Sequence, residues 1–171
     1  MYRAEKNLRD FKYILNRLRK EDKEEVKAVF GKHWKKKSIE NLIHTDFQIL
    51  LGKTKNGNIP VLMGGAWAVD KNNPAVATVW MLSTPEIEKH QISFLRELKK
   101  EMKYYDEKFA ITFNHIYKSN TLAKRWLKWV GYRFPNEEKR LTHLDKAFLS
   151  VKVPDGFEIF YRERPVKGLG E

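Results

Sequence analysis

The chain has 171 residues, of which 42% are hydrophobic and 13% aromatic, enough apolar material for helices to cover a mixed sheet around one core. Lys and Arg outnumber Asp and Glu by 34 to 22, a formal charge of +12 that favours nucleic acid, acidic protein surfaces or other polyanions as partners. The absence of cysteine excludes disulfides, thiolate catalysis and thiolate metal sites; no apolar run reaches the length of a membrane span, and Met1–Lys20 is too charged for a secretory core.

Residues 1–10 show no period and read as a mobile arm or a short extra element, and Phe11–Leu18 reads as a first strand. Lys20–Gly31 places Val26, Val29 and Phe30 on one stripe with acids early in the segment, the pattern of a short amphipathic helix. Lys35–Lys37 reads as a basic loop, with Ser38 capping a second short helix through Leu42 and Ile43 that ends near Asp46. Phe47–Lys53 and Ile59–Val69 read as strands joined by a tight turn at Asn56-Gly57, because that pair supplies the positive φ a hairpin needs. Gly64-Gly65 inside the second strand marks a bulge or a close backbone approach.

Asp70–Pro74 is a polar turn, and Ala75–Leu82 is apolar almost throughout, as expected of a buried strand. Pro85 opens a long helix to about Tyr105, with Ser83 or Thr84 as its cap and Ile87, Gln91, Leu95, Leu98, Met102 and Tyr105 as its inner stripe. Ala110–Tyr117 is a further strand. Ser119–Val130 is a helix with Leu122, Trp126 and Val130 on one face, stopped by Gly131. Tyr132–Leu141 and Phe157–Arg164 are β candidates around a less regular stretch, Thr142–Gly156, and residues 165–171 form a tail. The order β-α-α-β-β-β-α-β-α-β-β predicts one α/β (α+β) domain with a mixed, mostly antiparallel sheet and helices on both faces.

Asn120, Ala123, Gly131 and Tyr132 in NTLAKRWLKWVGY fall, without a gap, where GNAT N-acetyltransferases, which the chain resembles in element order, have their Asn-x-x-Ala, eight-residue spacing and Gly-Phe pattern. The strand ITFNHIYKSN with Asn114, followed by RWLKWVG, is also similar to the GNAT-like internal virion proteins of short-tailed phages. The fold resemblance implies that the strand through Trp80 and the strand through Asn114 are parallel neighbours. It also implies an acetyl-CoA site at the start of the long helix. Matching Pro85-Glu86 to the family's pair puts Glu88, Gln91 and Ser93 where an Arg or Gln and two small residues let backbone N–H groups approach a diphosphate. Glu88 would repel that diphosphate and Gln91 would crowd it, although Lys89 and His90 offset part of the charge. Leu127 stands where many members place the Tyr that protonates the leaving thiolate, so proton transfer would fall to His115, Tyr117 or a water.

The resemblance thus implies a catalytically degenerate GNAT-fold protein of phage type, placed in the virion or host cytoplasm. It would need no cofactor and would work through virion or host proteins in virion assembly, DNA ejection or host takeover. An active acetyl-CoA-dependent N-acetyltransferase is the alternative, with Asn114, His115 and Asn120 as site residues and Ser83 and Thr84 contacting pantetheine or phosphate. His115 otherwise reads as an ordinary hydrogen-bonded histidine. A third reading is a nucleic-acid binder. Lys124, Arg125, Lys128 and Trp129 form a basic-aromatic helix face suited to a protein or nucleic-acid partner, whereas Trp67, Trp80 and Trp126 read as core. His33, His44, His90, His115 and His143 show no ligand spacing, so no metal site is expected.

Overall fold

The computed structural model describes residues 1–165; most of the predicted tail, residues 166–171, lies outside them. Six strands are hydrogen-bonded in the order β1 (Tyr2–Ala4), β2 (Asp46–Thr54), β3 (Gly57–Ala68), β4 (Val76–Ser83), β5 (Ile111–Tyr117) and β6 (Phe157–Glu163). Between them lie α1 (Leu8–Asn16), α2 (Lys20–Phe30), α3 (Trp34–Leu42), α4 (Gln91–Lys108), α5 (Thr121–Trp129) and α6 (His143–Leu149). The sheet is mixed: β1–β2, β2–β3 and β5–β6 pair antiparallel, and β4 pairs parallel with β5 through Val76↔Ile111, Ala77↔Thr112 and Thr78↔Phe113. A helix-containing crossover between adjacent parallel strands is what the spacing from β4 to β5 requires. The chain clusters into two compact units, one of Met1–Trp67 with Val79–Leu98, the other of Ala68–Thr78 with the chain from Lys99 on.

In the first unit, Phe11–Leu18 does not form the strand expected of it. Asn7 caps α1 by accepting the Asp10 N–H at 2.8 Å, and Phe11, Ile14 and Leu15 turn into the core, a spacing of three and four that only a helix satisfies. The presumed arm is accordingly ordered, its first part as β1 and its end as the cap and first turn of α1. The lysine triplet is likewise not a loop: α3 begins at Trp34, and Trp34, Ser38 and Leu42 recur every fourth residue on its buried side. Ser38 therefore sits inside the helix and caps nothing. On α2 Val26 is buried, but Val29 is 48% exposed and leaves the predicted stripe. Phe11, Ile14, Leu15, Val26, Trp34 and Leu42 from the helices meet Phe47, Ile49, Met63 and Leu82 from the sheet in one core. Phe11 lies edge-on to Phe47 at 5.5 Å.

The β2–β3 hairpin forms as expected, but only Gly57 has positive φ (107°); Asn56 keeps an ordinary backbone. The register shift falls at Leu50/Leu51, while Gly64 and Gly65 mark close approaches. A Cβ on Gly65 would run into the Asp46 carbonyl and stand 2.7 Å from the Phe47 Cα, and one on Gly64 would stand 2.8 Å from the Trp80 carbonyl oxygen. Pro85–His90 form a 3-10 turn before α4, so the long helix starts one turn and a half later than Pro85 suggests. Phe94, absent from the predicted stripe, is buried, whereas Gln91 is exposed.

In the second unit, Asn120 accepts the Ala123 N–H and starts α5, and Gly131 (φ 92°) ends it. The Tyr132 N–H reaches back to the Leu127 carbonyl and the Gly131 N–H to that of Lys128, the paired bonds of a glycine-terminated helix. Tyr132–Leu141 is not a strand. Pro135 starts a 3-10 turn, and pairing is limited to the bridge Arg133↔Tyr161. The stretch before β6 contains α6, capped reciprocally by Thr142 and Asp145.

Asp145 is fully buried, and burial works against its charge. Two hydrogen bonds from Arg133 (3.3 and 2.9 Å), the Thr142 N–H and the Tyr161 hydroxyl outweigh that penalty and hold the carboxyl well below the usual carboxylate range. A depressed folded-state pKa contributes stability that is complete above the unfolded value, about 3.9, and is lost progressively as the pH falls from there through the folded-state value. Asp145→Asn is therefore expected to lose about 1–3 kcal/mol at pH 7, a deficit that begins to shrink only below about pH 4 and narrows progressively toward the depressed folded-state value, as urea titrations across pH will show.

Candidate functional site

Of the residues that the resemblance assigns to a cofactor, Ser83, Thr84, Glu88, Gln91 and Ser93 lie in the first unit, around the end of β4 and the start of α4, and Asn120 lies in the second. The hydrogen-bonding groups of Ser83 and Thr84 are engaged within the fold. Ser83 is completely buried, and its N–H and hydroxyl both donate to Asp22 Oδ2, at 2.8 and 2.7 Å. Its carbonyl accepts the Arg19 N–H at 2.9 Å. Thr84, 2% exposed, donates its N–H to the Val61 carbonyl at 2.8 Å and its hydroxyl to the same oxygen at 3.3 Å. Neither side chain caps α4. The Thr84 carbonyl instead receives the Ile87 N–H and so begins the 3-10 turn.

Asp22 and Arg19 escaped the sequence reading, which placed Asp22 only among the acids favouring a helix N-terminus. Asp22 does stand in the first turn of α2, but it points inward: Arg19 Nη2 meets Asp22 Oδ1 at 2.6 Å with both side chains at most 4% exposed. Burial disfavours the Arg19 charge, and Asp22, with Glu21 and Glu25, more than restores it. A sequence signal existed in the Arg-x-x-Asp spacing at the helix start, which brings the two groups to one side of the first turn. That the pair faces the core rather than water depends on the strand it clamps.

Further along, Glu88 is exposed. Gln91 turns its side-chain amide back onto the Glu88 carbonyl at 3.1 Å, and Lys89 pairs with Glu86 at 2.8 Å. Ser93 is half-buried.

Asn114, His115 and Asn120 belong to the second unit. Asn114 accepts the His115 N–H at 2.8 Å. The His115 ring is edge-on to Phe157 at 5.0 Å, and burial lowers its pKa, favouring the neutral imidazole. Asn120 is 2% exposed and serves as the α5 cap. Leu127 offers only its carbonyl, and Tyr117 stacks on Phe157 at 4.1 Å. The Tyr132 hydroxyl is buried 3.0 Å from Thr112 Oγ1 and pushed up to about 12, out of range as a proton donor near neutrality.

On α5, Lys124 is not the solvent-facing cation it was expected to be. Its side chain is 13% exposed, and its amine bridges Glu158 and Glu137, the latter at 2.6 Å. Lys128 also pairs with Glu137, and both amines lie over the Phe134 ring, at 5.3 and 5.4 Å. Arg125 and Trp129, the latter 55% exposed, remain outward. Trp67, expected in the core, is 39% exposed, whereas Trp126 is buried.

Solved structures resemble this arrangement over nearly the whole chain. The protein smu.2055 of Streptococcus mutans UA159 superimposes with a TM-score of 0.63 at 16% identity, covering 96% of this chain and 100% of its own. The ribosomal-protein-S18-alanine N-acetyltransferase of Escherichia coli gives 0.57 at 14% identity, covering 99% and 97%. The ribosomal-protein-alanine N-acetyltransferase of Brucella melitensis gives 0.58 at 12% identity, covering 95% and 99%. No family model and no curated protein matches the sequence. The chain therefore has the GNAT fold, and identities this low establish the fold alone. Among the described residues no helix is long and apolar enough to cross a membrane.

The Asp22 clamp can be removed cleanly. Asp22→Ala leaves Arg19 charged and buried without its partner, a change expected to cost about 3–5 kcal/mol, whereas Glu88→Ala on the exposed turn should stay within about 0.5 kcal/mol of the parent. Chemical denaturation of the two variants measures both.

Proposed function

We propose that this protein is a GNAT-fold chain that no longer transfers acyl groups and acts through its surface. The observation that carries this reading is the engagement of Ser83 by the buried Asp22–Arg19 pair. A ligand taking its place would need those donors, and releasing them exposes a carboxylate and a guanidinium to a dry environment. The exposed Glu88 before the start of α4 does not suit a diphosphate either, since it adds a negative charge where an anion would need donors. Leu127 removes the usual proton donor. No cofactor is expected in this reading. The similarity of the Asn114 strand and the RWLKWVG helix to phage internal virion proteins makes virion or host proteins the partner class, in assembly, DNA ejection or host takeover, within the virion or the host cytoplasm.

A second reading, an active N-acetyltransferase, draws on the activities of the Escherichia coli and Brucella melitensis neighbours and on a neutral His115. In that case Asn114 and His115 would be the residues nearest the chemistry. The two readings separate by calorimetry with acetyl-CoA. The first predicts a dissociation constant weaker than about 1 mM, roughly −4 kcal/mol, and a micromolar constant, about −8 kcal/mol, would overturn it.

A further inference from the structure

From Val26 to Ile39 the chain contains five lysines and one histidine and no acidic residue. The structure turns this run outward. Val26, Phe30, Trp34, Ile39 and Leu42 pack into or against the core of the first unit, which leaves Lys27 on α2, Lys32 and His33 on the 3-10 turn Gly31–His33, and Lys35, Lys36 and Lys37 on α3 all exposed. Two of these cations have neighbours: Lys35 donates to Asn16 Oδ1 at 2.7 Å and lies 5.5 Å from the Trp34 ring centroid, and Lys36 reaches Glu40 at 3.7 Å. None of these contacts buries a charge.

We infer that Lys27–Lys37 is a docking surface for the phosphate backbone of duplex DNA, read without regard to sequence. This inference is independent of whether the Ser83 site binds acetyl-CoA. Three features select DNA over other polyanions. First, every strong cation in the run is lysine. Lysine meets a phosphate as a point charge, without the planar fork that arginine uses for bidentate recognition, and so suits sequence-independent contact with a polymer carrying one charge per about 1.7 Å of axis. Second, the aromatic residues of the run are turned inward, Trp34 being 8% exposed, so unstacked bases have no platform and the match is to a duplex backbone rather than a single strand. Third, Val29 is the one exposed large apolar side chain between Val26 and Ile39, too little to insert into a lipid surface. The placement also works against the fold: the lysine triplet occupies the first turn of α3, which holds no acid, and there the helix macrodipole disfavours positive charge. Cations kept where they weaken a helix point to a partner that neutralises them.

The test is fluorescence anisotropy of the full chain with a labelled duplex of arbitrary sequence, across a salt series. Each neutralised phosphate contributes about 0.9 to the slope of log K against log salt. The parent should show a slope steeper than about −4, and Lys32→Ser with Lys35→Ser, Lys36→Ser and Lys37→Ser should reduce its magnitude by about 3.6. If that variant loses its fold, Lys32→Ser with Lys37→Ser carries the test, with an expected reduction of about 2. Arg125→Ser with Trp129→Ala on α5 should leave the slope unchanged. Absence of DNA binding by the parent, an unchanged slope in the lysine variant, or loss of binding in the α5 variant instead would overturn the proposal. Polyglutamate or anionic vesicles binding as tightly as the duplex at the same salt would overturn the choice of DNA.

Discussion

In the first unit an ion pair, removed from water, holds the end of a core strand. Arg19 and Asp22 are at most 4% exposed, and the carboxylate that neutralises the guanidinium also receives both donors of Ser83. An exposed pair of the same composition would be worth about 1 kcal/mol or less. Buried, the pair contributes little by its mere presence, yet breaking it exposes an uncompensated charge at about 3–5 kcal/mol. That asymmetry makes the clamp hard to open. Every polar group of Ser83 is engaged, and Thr84 beside it is bound to Val61, so the strand end presents no unsatisfied donor. The GNAT fold itself is shared with the acetyltransferase neighbours, and the proposed loss of acyl transfer rests on that local arrangement alone.

The second unit uses its charges in the same way. Arg133 with Asp145, Lys124 with Glu158 and Glu137, and Arg162 with Asp106 and the Val130 carbonyl all fasten secondary elements to one another. A formal charge of +12 is therefore a poor guide to where a partner binds, because several of the cations are already paired with carboxylates inside the fold. Such a surface has to be sought where lysines crowd together without acids between them, and the run from Lys27 to Lys37 meets that condition.

Much of the fold was legible in the sequence, for physical reasons that can be named. Asn56-Gly57, the apolar run into Leu82, the crossover from Pro85 and the Gly131 stop each announce a local structure through a strong backbone preference or an unbroken pattern. Phe11–Leu18 misled because its apolar residues also fit a short strand when Asn7 and Leu8, the cap and first turn, are left out of the window. The lysine triplet misled because charge was taken to mean loop, while the period that defines α3 is carried by Trp34, Ser38 and Leu42. The site was less legible than the fold. Glu88, Gln91 and Leu127 could be judged by residue type alone. Asp22 could not, since its role depends on Ser83, distant in sequence and brought near only by the fold.

The most direct measurement of the clamp is amide hydrogen exchange at Ser83 by NMR. An N–H held by a buried carboxylate should exchange only through cooperative unfolding of its unit, at a rate that follows global stability and is unaffected by millimolar acetyl-CoA. Exchange through a local opening, or a Ser83 resonance that shifts when acetyl-CoA is added, would contradict the account of a strand end closed by Asp22.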